Sequence, residues 1–100
     1  MTTKVMSIDA LRHVLENPDC CDLDDLRQAS HTLIAVYGYK KASDLLGEPY
    51  SVRGLRMLWH YVDLTVMVRV HRLNGRQDAA NHVEKAADDL YNRLPKGLKW

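Results

Sequence analysis

One hundred residues with 14 Lys+Arg against 13 Asp+Glu, a formal net charge of +1 and 46% hydrophobic content describe one ordinary domain with enough apolar material for a core. The near-neutral charge counts against a dedicated nucleic-acid binder, whose affinity rests on a basic face. The longest apolar stretch is broken by Arg56, His60, Asp63 and Arg69, so it does not fit a membrane span, and the adjacent Cys20 and Cys21 offer neither a disulfide framework nor a CxxC pair.

Residues 1–6 read as a loose leader. Its charges come too early, and the apolar runs after it are too short, for a signal peptide. With the cysteine usage, this points to a reducing, cytoplasmic setting. Ser7 is placed to cap a first helix, with Ile8, Leu11, Val14 and Leu15 on one face. Asn17-Pro18 stops it, because a residue before proline is pushed out of the α region. Asp22 caps the next helix, with Asp24 and Asp25 at its positive end. Its stripe is Leu23, Leu26, Ala29, Leu33, Val36 and Tyr37, and Gly38 ends it. Tyr39 to Leu46 is a short helix with Ala42, Leu45 and Leu46 inward, and Gly47 to Tyr50 is a turn.

Ser51 then caps the longest helix, predicted over 51–74. Arg53, Arg56, His60, Asp63 and His71 form one narrow polar stripe along it, interrupted only where Met67 stands. Val52, Leu55, Leu58, Trp59, Val62, Val66, Val70 and Leu73 form a broad apolar face, which Met57, Tyr61, Leu64 and Val68 extend. Asn74-Gly75 ends this helix. The last helix runs from about Arg76 to Leu94, with Ala79, Ala80, Val83, Ala86, Ala87, Leu90 and Leu94 inward. Pro95 and Gly97 leave 95–100 as a tail. No run alternates with period two, so no strand is expected. The expected fold is all-α: a compact single domain of four to five helices around the 51–74 helix.

The run from Ala42 to Leu55 resembles a helix-turn-helix, with an alanine, a leucine pair, a turn glycine and a second helix opening at Ser51. That resemblance implies a second helix in the major groove, with Arg53 and Arg56 reading bases and Lys40 and Lys41 on phosphates. The chain departs from the pattern at Glu48, where an apolar plug is usual, at Pro49 inside the turn, and at Gly54, where a side chain is expected. His13, His31, His60, His71 and His82 form no HxxxH or HExxH pair, and His60 with Asp63 supplies two ligands where a zinc site needs at least three. The carboxylates flanking Cys20-Cys21 raise a thiol pKa rather than activate it. No metal or cofactor is expected. No nucleophile with a base, and no paired carboxylates in a pocket, mark an enzyme. Only Arg69 is expected to be drawn inward.

The strongest functional hint is the surplus of apolar surface on the 51–74 helix. A bundle helix needs an apolar stripe of about 100° or a little more, and this one carries more. Either the helix is central and fully wrapped, or another chain covers part of it. Tyr37, Tyr39, Tyr50, Met57, Trp59, Tyr61, Met67 and Val68 are the candidate partner or dimer contacts, with Trp100 a second anchor on the basic tail. In size, charge and lack of catalytic residues the chain is similar to small bacterial and phage inhibitor proteins, such as anti-CRISPR proteins and quorum-sensing anti-activators. That likeness is one of type, without a shared motif. It implies a non-catalytic protein partner, stoichiometric inhibition of a regulator or nucleoprotein complex, and a homodimer. The alternative is a helix-turn-helix-like DNA-binding regulator using residues 42–56.

Overall fold

The computed structural model describes residues 5–98. Among these, five α-helices follow one another: α1 (Ile8–Glu16), α2 (Leu23–Ser30), α3 (Gly38–Leu46), α4 (Val52–Leu73) and α5 (Gln77–Arg93). A π-helical stretch, His31–Tyr37, joins α2 to α3, and 3-10 turns lie at Pro18–Cys20 and Lys96–Leu98. No strand occurs among the described residues, and the fold is an all-α bundle.

The helix starts are local events. Ser7, Asp22 and Ser51 each accept a hydrogen bond from the backbone N–H three residues on, at 3.2, 2.8 and 3.1 Å. Each satisfies one of the orphan donors of a helix N-terminus. The end of α4 is equally local. The Arg76 N–H donates to the His71 carbonyl at 2.9 Å and the Gly75 N–H to that of Arg72 at 3.1 Å. This is the Schellman pattern, which needs a positive φ, and Gly75 supplies it at +72°.

The molecule is a slab with extents of 38 × 37 × 19 Å. A helix with its side chains is about 10–12 Å across, so the slab is about two helix layers thick. Leu11, Val14 and Leu15 of α1, Leu26 and Ala29 of α2, Leu33 of the π stretch, and Ala42 and Leu46 of α3 close over Leu55, Leu58, Trp59 and Val62 of α4. On its other side α4 packs on α5 through Val68, Ala80, Ala87 and Leu90, all buried. The alanines keep that pair close. The ring centroids of Tyr61 and Tyr91 lie 5.4 Å apart.

Four expectations are corrected. Met6 is not loose: its N–H donates to the buried Thr32 hydroxyl at 2.9 Å. Residues 95–98, expected as a tail, pack on their own domain, with Leu98 fully buried; Trp100 lies outside the described residues. Val36 is exposed, although α spacing from Ala29 and Leu33 would turn it inward. The reason is the π stretch, whose i→i+5 bonding carries more residues per turn and delays the stripe. It falls on the β-branched Thr32, Ile34 and Val36, which crowd an α-helix. Leu45 and Ala86 are exposed as well, at the outer edges of α3 and α5.

The docked turn explains Gly54. A Cβ at that position would lie 2.6 Å from Leu98 Cδ1, and one at Gly97 would lie 2.6 Å from Pro49 Cβ. The turn therefore presses on bare backbone at the start of α4. Gly54→Ala gains about 1 kcal/mol of helix propensity. It must also displace a buried leucine, at an overpacking cost of about 1–3 kcal/mol. A net loss of about 1 kcal/mol is expected by urea denaturation. In a Leu98→Ala background the sign should reverse. Stabilisation by Gly54→Ala alone would contradict this packing.

Candidate functional site

Helix α4 is covered unevenly. Over its first three turns Leu55, Leu58, Trp59 and Val62 are buried, Trp59 at 4% exposure. Towards its end three apolar residues are open, Met67 at 46%, Val70 at 36% and Leu73 at 72% exposure, beside the exposed Arg72.

The expected interface residues stand in unequal places. Tyr50 and Val68 are corrected from partner contacts to core, each buried inside the chain itself, whereas Trp59 is buried but lines the open α2–α4 groove. The Tyr50 hydroxyl donates to Glu16 Oε1 at 3.1 Å, and its phenol is pushed up by burial first and then by that carboxylate. Its carbonyl accepts from the Ser43 hydroxyl, and Arg12 Nη2 donates to the Leu46 carbonyl at 3.1 Å. These contacts seal the α3–α4 corner, where the Glu48–Pro49 peptide is cis. Tyr37, Tyr39, Met57 and Tyr61 are half-buried, and Met67 alone of the described set is well exposed.

The cations of the helix-turn-helix look-alike all remain outside. Lys40, Lys41, Arg53 and Arg56 are exposed. Lys41 Nζ sits 5.8 Å from the Tyr37 ring centroid and the Arg56 guanidinium 5.3 Å from that of Tyr39, both within cation–π range. The Gly54 side of the same helix turn is taken by Leu98 and Pro95.

Between α2 and α4 runs an open groove of about 270 Å³, lined by Leu23, Leu26, Arg27, Ser30, Trp59, Asp63, Val66 and Val70. Leu23 also lines the next depression, with Asp22, Asp24, Arg69 and Leu73, so apolar surface continues to the end of α4. Burial of Leu26 and Trp59 gives the groove an apolar floor. Arg27 and Asp63 stand on opposite lips. Asp63 is exposed by area, yet desolvation raises its carboxyl above the ordinary range, with nearby His60 pulling the other way. The groove went unread in the sequence because α2 supplies one wall. Its one visible signal was the excess of apolar residues on α4.

Arg69 positions this end of the helix. It is half-buried, as expected, and Nη1 donates to the Cys21 carbonyl at 2.6 Å while Nη2 donates to that of Pro18 at 3.4 Å. A single guanidinium thus ties the α1–α2 connection to α4. The Cys21 thiol beneath donates to the Asn17 carbonyl at 3.4 Å. Burial, then Asp25, pushes that thiol up, so it is a poor nucleophile. On the far side, Arg72 pairs with Glu84 of α5 beside a cavity of about 480 Å³. Among the described residues no three His, Cys, Asp or Glu side chains converge on a metal position, and no helix is long and apolar enough to cross a membrane.

Replacing Arg69 by Ala takes the charged donor from the Cys21 and Pro18 carbonyls, of which Pro18 keeps the Cys21 N–H at 3.3 Å. Hydrogen bonds to charged groups are worth about 1.5–3 kcal/mol, and water reaching this half-buried site recovers part, so a loss of about 1–2 kcal/mol is expected by denaturant titration. Arg69→Lys should fall between, because an ammonium lacks the fork that spans both carbonyls. A change under about 0.5 kcal/mol for Arg69→Ala, the range of ordinary surface substitutions, would contradict this role. Comparison with protein-family models, with curated proteins and with solved structures returns no match, so the reading of this face rests on its own geometry.

Proposed function

We propose that the chain is a non-catalytic protein-binding module that acts by stoichiometric occupation. A segment of a larger regulatory protein or nucleoprotein complex lies in the α2–α4 groove, and the bound module blocks that protein's other contacts. The observation that carries this reading is the open apolar groove running from the Trp59 floor to Leu73. An amphipathic helix fits such a trough by seating residues three and four apart. Arg27 and Asp63 supply the charged rim that surrounds an apolar interface centre. A cytoplasmic setting fits the free, exposed thiol of Cys20.

A second reading, a helix-turn-helix-like DNA-binding regulator, draws support from the four exposed cations at the α3–α4 corner. It predicts binding that falls steeply with salt and is abolished by Arg53→Ala with Arg56→Ala. The cover over Gly54 by the C-terminal turn weighs against deep entry into a groove of DNA.

A photoreactive amino acid at Arg27, on the groove lip, tests the favoured reading in the cells that make the protein. Asp89, exposed on α5, is the control position. Irradiation should give one discrete adduct with a second protein from position 27 and none from position 89, and Leu73→Asp should abolish it. Equal, diffuse labelling from both positions would overturn the groove as a binding site.

A further inference from the structure

Met67 stands at the middle of an outward line on α4, and the chemistry on its two sides is complementary. Three residues back is Leu64 and three on is Val70; four back is Asp63 and four on is His71; seven back is His60 and seven on is Asn74. Offsets of three, four and seven keep residues on one helical face. His60, Asp63, Val70 and Asn74 are exposed, and Leu64 and His71 are half-buried. An antiparallel two-fold rotation through Met67 exchanges each forward offset with its backward equal. It sets Met67 on Met67 and brings Leu64 level with Val70, Asp63 level with His71 and His60 level with Asn74, each pair reaching diagonally across the seam. The centre is apolar, the flanks carry a carboxylate against an imidazole, and the outer pair can hydrogen-bond.

Two further details point the same way. Among the described residues Asp63 has no hydrogen bond or ion pair, although its surroundings strip water from its carboxyl. His71 Nδ1 accepts from Arg76 Nε at 3.0 Å. A neutral imidazole that accepts at Nδ1 carries its proton on Nε2, which leaves Nε2 a donor. Each side chain therefore offers what the other lacks, on a face that the described residues cover only in part.

We propose that two copies of this chain pair antiparallel through α4 about a two-fold axis at Met67, with two Asp63–His71 pairs flanking the apolar centre. This rests on the reading of the chain as a protein-binding module. It shares Asp63 and Val70 with the α4 wall of the groove, so pairing and segment binding compete for that wall while Arg27 stays outside the seam. A single helix seam buries less than the ~800 Å² per partner of a standard stable interface, so the pairing is weak, on the order of 10 µM.

The test is cross-linking with sedimentation equilibrium, in a Cys20→Ser background. Helices 8–10 Å apart with Cα radii of about 2.3 Å bring facing Cα atoms to about 3.5–5.5 Å, overlapping the range that a disulfide spans. Met67→Cys should therefore oxidise to a covalent dimer. His60→Cys should not, because its two copies would sit about 21 Å apart along the axis. The uncrosslinked mass should rise with concentration from 11.5 kDa towards twice that value. Asp63→Lys should weaken pairing about tenfold, and adding His71→Glu should restore it to within about threefold. A monomer mass up to about 1 mM, a range in which a 10 µM pairing is almost fully dimeric, would overturn the proposal. So would His60→Cys linking as readily as Met67→Cys, or no rescue by the double variant. A monomer that still gives Arg27 adducts removes the seam alone; absence of those adducts at concentrations where the chain is monomeric removes the groove reading alone.

Discussion

Leu98 lies against the bare backbone of α4 at Gly54, and the last described turn of the chain is thereby drawn over the start of its longest helix. Much follows from that contact. It closes the α3–α4 corner, places Gly97 on Pro49, and completes the cover over Leu55 and Leu58. Among the described residues the outer face of the second half of α4 is less covered, with Met67, Val70 and Leu73 exposed. There, α5 lies on one side and one guanidinium, Arg69, holds the α1–α2 connection on the other.

The slab shape turns this into a difference between the two ends of one helix. Twenty-two residues at 1.5 Å each make about 33 Å, nearly the width of the molecule. In a structure two helices thick, a helix of that length has a face that no layer covers. In its first half that face is polar, with Arg53, Arg56 and His60 exposed. In its second half the same face carries Met67 and Val70, with Leu73 beside them. Water solvates the first half at no cost. The second half gains from burial, at about 25 cal/mol per Å² removed from water, and the described residues leave that gain unused.

The helices were legible in the sequence because their signals are local. Ser7, Asp22 and Ser51 cap by reaching three residues ahead, and Asn74-Gly75 ends α4 through its own backbone. The inward draw on Arg69 was readable too, since a lone cation in an apolar stretch must find oxygen. Burial was less legible, because it depends on which neighbour arrives. Trp59 and Met67 have equal claims as interface residues by type, yet the first lies against α2 and the second lies outside the α2–α4 groove and is exposed. The π stretch is a further limit. One wider turn between Ala29 and Gly38 moves every later residue, so Val36 faces water and Tyr37 lies half-buried.

Helix α4 is closed at Trp59 and open at Met67. Methyl and indole NMR in the presence of a soluble paramagnetic chelate reads both sites at once, at concentrations below any self-association. The Met67 methyl signal should broaden strongly as the chelate is added, and the Trp59 indole should not. A Met67 methyl as protected as Trp59, or a Trp59 indole that broadens with it, would contradict the account.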